Sequence, residues 1–216
     1  MIKEFEKRLI TSLLLISISI FFIIKGSIFF VFFLSILFLG SIYEWAIMSK
    51  KNDLLKFLGI TFLIFSFYTA FKLNQNYKDF LFIITICIFT DIGGYIFGKI
   101  FKGPKLTKIS PNKTYSGVFG SFVLSVMVAL IFSQYQKSLP FFEFTILQNK
   151  NLFYITIILF ISAISQIGDL IISYFKRLSK VKDTGNLLPG HGGLLDRVDG
   201  IIFAMPVSYL LFNYLG

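Results

Sequence analysis

The chain has 216 residues, 56% of them hydrophobic and 19% aromatic, with only 15% charged and a mean hydropathy of +0.79; a soluble domain is about half apolar and about a quarter charged. That excess excludes a water-soluble α/β or all-β enzyme and defines an all-α, polytopic integral membrane protein. The formal net charge of +10, which in a soluble chain would suggest nucleic acid, is read here against a lipid bilayer, and no nucleic-acid partner is expected.

A helix that crosses the roughly 30 Å hydrocarbon core needs about 20 mostly apolar residues. About seven stretches qualify: Leu9 to Ile24, Ser27 to Met48, Leu54 to Phe71, Phe80 to Phe101, Gly117 to Tyr135, Leu152 to Phe175 and Gly200 to Leu215. The first two are separated only by Lys25-Gly26. As one helix they would be about 60 Å long, so the chain must turn back at Gly26. Lys3, Lys7 and Arg8 precede the first apolar run as in a signal peptide, but no small-residue cleavage site follows, and the segment is read as an uncleaved first span.

With the N-terminus inside, sixteen of the 21 lysines and arginines fall in inner segments, including Lys50, Lys51 and Lys56, the run from Lys99 to Lys113, and the run from Lys176 to Arg197. The positive-inside rule thus places the N-terminus and both basic loops in the cytoplasm, in the cell inner (plasma) membrane. The chain forms a single membrane domain, in which residues 1–78 are expected to be scaffold and residues 79–216 to carry the site. Two inner loops, Gly98 to Ser116 and Lys176 to Asp199, combine glycine, proline and several cations, and long ordered loops of this kind are usually functional.

Acids within apolar spans are costly and therefore candidates for function. Glu44, Asp91 and Asp169 are such acids. Ser162, Gln166, Asp169, Ser173 and Lys176 recur at helical spacing and form one polar stripe, expected to line a wet cavity at the inner side. The structural alternative is hydrogen bonding between helices. Glu44, in Tyr43-Glu44-Trp45-Ala46, is read that way, and Asp91 is left between the two readings. With one cysteine, Cys87, and one histidine, His191, a Cys/His zinc site is excluded, and any metal must sit on oxygen ligands. Beyond the stripe, Pro189-Gly190-His191-Gly192-Gly193 offers backbone N–H groups to an anion, and the neighbouring cations would neutralise phosphate. Acids among those cations fit a divalent cation, which carboxylates and substrate phosphates commonly hold together.

The run from Ser173 to Gly200 resembles the signature of the phosphatidate cytidylyltransferase, or CDP-diacylglycerol synthase, family. Ser173, Phe175, Lys176, Arg177, Lys182, Asp183, Gly185, Leu188, Pro189, His191, Gly192, Gly193, Leu194, Asp196, Arg197, Val198 and Asp199 all fit its pattern. Ser165-Gln166-Ile167-Gly168-Asp169-Leu170, Asp91-Ile92-Gly93-Gly94-Tyr95 and Ser110-Pro111-Asn112-Lys113-Thr114 resemble further pieces of the family. The resemblance implies transfer of a cytidylyl group from CTP to phosphatidic acid with Mg²⁺, leaving open a second, monovalent cation and the oligomeric state, a homodimer included. It implies Asp169 and Asp196 as metal ligands and, with Lys176 and Arg197, as catalytic residues. Lys113, Arg177, Lys182, Asp183, His191, Gly192, Gly193 and Asp199 follow as substrate-binding residues. A transporter would show repeated halves, and none are present. A CDP-alcohol phosphatidyltransferase would continue Asp199-Gly200 with an Ala-Arg pair, where this chain has Ile201, Ile202, Phe203 and Ala204.

Overall fold

The computed structural model describes residues 17–107, 109–135, 151–188 and 192–215. Seven helices run through them: α1 (17–25), α2 (Ser27–Met48), α3 (Asp53–Leu73), α4 (Tyr77–Phe101), α5 (Tyr115–Tyr135), α6 (Asn151–Leu178) and α7 (Leu195–Leu215). Each overlaps one expected span, α1 only the end of the first, and α7 begins five residues before the last. Five of them, α2 to α6, are long and apolar enough to cross a membrane. The start of the first expected span and the cations Lys3, Lys7 and Arg8 lie outside the described residues, and α7 carries Asp196, Arg197 and Asp199 near its start.

The turn expected between the first two spans is present. Gly26 has φ 59° and Ser27 φ 50°, a left-handed pair that glycine enters without steric cost. The Phe22 and Phe33 rings stack with centroids 5.5 Å apart, so α1 folds back along α2. Asparagines open the next two helices: Asn52 accepts from Leu55 N–H at 3.0 Å, and Asn76 accepts from Lys78 N–H at 3.3 Å. Each satisfies a donor that has no partner within its helix.

The helices pack chiefly as α4 with α5, α6 with α7, and α3 between α2 and α7. One apolar cluster joins Phe82, Ile83 and Ile86 of α4 to Ile158 and Ile161 of α6 and Met205 of α7. A second, nearer the ends of α2 and α6, joins Trp45, Leu63, Phe67, Ile172, Leu195 and Ile202. Large apolar side chains such as Phe32, Leu39, Phe57 and Phe119 face outward, as they must if lipid is the solvent. Since lipid removes the hydrophobic drive between helices, polar contacts and close packing have to specify the arrangement. Ser121 Oγ donates to Thr90 O at 2.7 Å and Thr90 Oγ1 to Ser162 Oγ at 2.7 Å, so α5, α4 and α6 are tied in one line. Pro206 lies within the continuous α7, where its missing N–H leaves the carbonyl four residues earlier without its helical donor. Ser66 Oγ of α3 supplies that donor to Ile202 O at 2.6 Å.

Candidate active site

Two loops at one end of the bundle carry the polar residues. The α4–α5 loop closes on itself: Leu106 N–H donates to Lys113 O at 2.8 Å, Lys113 N–H to Ser110 O at 3.1 Å and Tyr115 N–H to Pro104 O at 3.2 Å. Ser110 N–H donates in turn to Thr107 Oγ1. Thr114 then caps α5, its hydroxyl accepting from Gly117 N–H at 3.1 Å. Ser-Pro-Asn-Lys-Thr is thus a tight turn followed by a helix cap, with Lys113 held between them.

From there Lys113 reaches α6, its Nζ 2.5 Å from Asp169 Oδ2 and 3.5 Å from Gln166 O. The expected stripe on α6 is one face. Ser162 bonds to Thr90, Ser173 Oγ donates to Asp169 Oδ1 at 3.3 Å, and Lys176 Nζ lies 2.7 Å from Asp196 Oδ1 across on α7. Asp199 stands close enough to Asp169 for their charges to interact, and Asp91 of α4 close enough to interact with the charges of both Asp169 and Lys113. Three carboxylates and a lysine therefore converge where α4, α6 and α7 meet.

The second loop leaves α6 through Lys180, which has φ 56°. Val181 N–H donates back to Lys176 O at 3.0 Å and Lys180 N–H to Arg177 O at 3.1 Å, so the last carbonyls of α6 are satisfied as the chain turns away. Leu188 N–H donates to Gly192 O at 3.1 Å, which holds Gly192 beside Leu188. Asp196 collects this loop: Oδ2 accepts from Thr184 N–H at 2.8 Å and from Gly193 N–H at 3.3 Å while Oδ1 faces Lys176. Lys176 and Asp196 are each only 12% exposed, whereas Arg177, Lys182, Asp183 and Arg197 are exposed around the loop. Gly192, at φ 82°, sits beside Asp183 and Asp196. His191, with Pro189 and Gly190, lies outside the described residues.

Asp169 and Asp196 thus belong to neighbouring arrangements, each paired with its own lysine. Among the described residues no three His, Cys, Asp or Glu side chains form a set spaced to hold a metal ion. The donor chemistry is nevertheless that of a hard cation, since all candidate ligands are carboxylate oxygens.

Glu44 and Thr184 belong to the same assembly and were not among the expected site residues. Glu44, 1% exposed on α2, accepts from Thr184 Oγ1 at 2.7 Å, Leu194 N–H at 2.9 Å and Leu195 N–H at 2.8 Å. The carboxylate also explains two of the signature's small residues. A Cβ at Gly185 would stand 2.5 Å from Glu44 Oε1, and one at Gly193 would meet Thr184 Oγ1 and Glu44 Oε2. The available signal was Glu44 itself, an acid deep in an apolar run.

Fold and site together define an all-helical, multi-pass membrane protein that gathers lysines, carboxylates and glycine N–H groups at one end of its bundle, the equipment of phosphate chemistry. The chain belongs to the cytidylyltransferase family, which it matches over residues 52–215. It is 33% identical over 215 residues to the phosphatidate cytidylyltransferase of Rickettsia typhi, covering 96% of this chain and 92% of that protein. Its identity to the phosphatidate cytidylyltransferase of Rickettsia bellii is 34% over 178 residues, 80% of this chain and 75% of that protein. The Bacillus subtilis phosphatidate cytidylyltransferase is 41% identical over 142 residues, 65% of this chain, and the chain spans about half of its length, 49%.

Proposed function

We infer that this protein is a nucleotidyltransferase that transfers the cytidylyl group of CTP to phosphatidate, forming CDP-diacylglycerol and pyrophosphate in phospholipid synthesis. The observation that carries this is the similarity to the Rickettsia typhi phosphatidate cytidylyltransferase along nearly the whole chain. The chemistry of the site supports it. A phosphate oxygen of the lipid attacks the α-phosphorus of CTP, the bond from that phosphorus to the bridging oxygen breaks, and pyrophosphate leaves. The nucleophile is already an anion at neutral pH, so no general base is required. The main task is to hold two polyanions in line against their repulsion and to stabilise charge on the leaving group.

Lys113 and Lys176 are half-buried cations suited to bridging phosphate oxygens, and Arg177, Lys182 and Arg197 are exposed ones suited to first capture. Gly192 and Gly193 bring backbone close to the same space. Carboxylate oxygens suit Mg²⁺, and Asp169 and Asp196 would hold it; when bound it supplies charge neutralisation to the phosphates. In this reading phosphate oxygens compete with the aspartates for the two lysines, while the cation competes with the lysines for the aspartates. The lipid's acyl chains remain in the bilayer while its headgroup meets a soluble nucleotide, which requires the site to face the cytoplasm at the inner membrane. The excess of lysine and arginine in the loops at this end supports that orientation. The test is purified protein in detergent with phosphatidic acid, labelled CTP and Mg²⁺. Labelled lipid is the expected product, and its absence overturns the assignment.

A further inference from the structure

Every residue of the site described above comes from α4 to α7 except one. Glu44 lies on α2, ahead of the stretch matched by the family, and its nearest site partners follow about 140 residues later. Both carboxylate oxygens are used: Oε1 takes Leu194 N–H, and Oε2 takes Leu195 N–H and the Thr184 hydroxyl. Leu195 is the first residue of α7. The opening N–H groups of a helix have no partners within it and carry the positive end of its dipole. A buried carboxylate at that point is compensated by the dipole and by three donors at once, which is how a charge is kept inside protein. Glu44 is therefore an N-terminal cap supplied in trans by another helix. It also accounts for α7 starting five residues before the apolar span at Gly200.

Thr184 links this cap to the reacting groups. Its hydroxyl goes to Glu44 and its own N–H to Asp196 Oδ2, and Asp196 Oδ1 faces Lys176. The line Glu44, Thr184, Asp196, Lys176 runs through adjacent hydrogen bonds, and Asp196 sits in the α7 turn that Glu44 caps. We propose that Glu44 is a positioning residue for the transfer reaction, setting the stance of Asp196 and of the glycine-rich loop through Thr184 and the first turn of α7. The kinetic part of this inference rests on the cytidylyltransferase reading; the structural part does not.

The test uses the full chain in detergent with Glu44→Gln, Thr184→Val, the double variant and Thr184→Ser. Glu44→Gln keeps shape but turns an N–H₂ group toward donors. Thr184→Val keeps the N–H to Asp196 and removes only the hydroxyl, which Thr184→Ser retains. Both single variants should lower kcat/KM for CTP by about tenfold or more, Thr184→Val in protein whose thermal midpoint stays near that of the wild type and Glu44→Gln with some loss of stability, since it leaves a buried donor unmet. Thr184→Ser should recover most of the loss, and the double variant should be little worse than the worse single one, as residues acting through one bond require. Tryptic cleavage after Lys182, exposed in the loop, should also quicken by about fivefold or more as the loop is released. Losses that multiply in the double variant, or wild-type kinetics in both single variants, overturn the proposal. If Glu44→Gln does not accumulate, the Thr184→Val and Thr184→Ser pair decides alone. A wild type that makes no labelled lipid sinks the cytidylyltransferase reading instead; loop cleavage then decides for Glu44, with equal rates in wild type and Thr184→Val counting against it.

Discussion

Lys113, in the loop between α4 and α5, and Asp169, on α6, stand 2.5 Å apart. Their contact joins two polar segments that lie far apart in sequence. The pairing recurs in Lys176 and Asp196 at 2.7 Å, so two lysine–aspartate pairs lie in neighbouring arrangements. In the proposed reaction the lysines of these pairs would meet phosphate and the aspartates a divalent cation.

Neutralising either aspartate should therefore remove most turnover. Asp169→Asn and Asp196→Asn nearly preserve shape, so loss of activity in normally inserted protein would report charge and not packing. Structural acids would act differently, lowering stability while surviving protein kept the wild-type Mg²⁺ dependence. The metal role is to be abandoned if both variants turn over CTP within about tenfold of wild type, a loss of only about 1.4 kcal/mol in transition-state stabilisation.

The exposed cations should show a different signature. Lys182 and Arg197 are exposed near the glycine-rich loop, and substitutions at such positions usually cost within about 0.5 kcal/mol of stability. Lys182→Ala and Arg197→Ala should yield folded protein with the apparent KM for CTP or phosphatidate raised by about tenfold, because charge-assisted contacts to phosphate are strong. Steady-state kinetics with each substrate varied in turn provides the measurement. Unchanged constants in both variants would leave these residues a role in topology only.

What was legible in the sequence follows from what leaves a local trace. Helix extents did in part, because several apolar runs are bounded by a cap or a turn: Gly26, Asn52 and Asn76 mark three such boundaries. The α6 stripe did too, because Ser162 to Lys176 recur at helical spacing, and the structure puts that whole face against α4, the α4–α5 loop and α7. Lys113 and Asp196 were legible only through motif resemblance, since nothing local says which helix they will meet. Glu44 hydrogen-bonds between helices as expected, but its partners were not legible: they are mainly the backbone N–H groups of Leu194 and Leu195, and a backbone donor has no sequence signature. Thr184 falls at a position the signature leaves free, so its bridge from Glu44 to Asp196 emerges only when α2 packs beside α7.

Orientation gives a third prediction. Cys87 is 1% exposed and the only thiol, so a Cys87→Ser background makes single-cysteine labelling clean. Lys105 and Lys180 are exposed, one in each basic loop. Cysteines at these two positions should resist an impermeant thiol reagent in intact cells and react once the membrane is opened. Labelling of both from outside would reverse the assigned orientation and move the site away from cytoplasmic CTP.

The fourth prediction concerns how α3 holds α7 in place. Pro206 removes the donor that Ile202 O would meet in an unbroken helix, and Ser66 Oγ replaces it from α3 at 2.6 Å. An unsatisfied carbonyl has no water to turn to within a bilayer, although such bonds in membrane bundles contribute only about 1 kcal/mol. Ser66→Ala should therefore destabilise the bundle by about that amount in reversible detergent unfolding. In a Pro206→Ala background the new N–H at position 206 can serve Ile202 O, so Ser66→Ala should cost clearly less there. If the two backgrounds show the same cost, Ser66 acts through packing alone and the proline has found its compensation elsewhere. A larger cost beside Pro206 would instead identify this hydroxyl as the contact that lets α7 tolerate a helix breaker below the capped turn carrying Asp196.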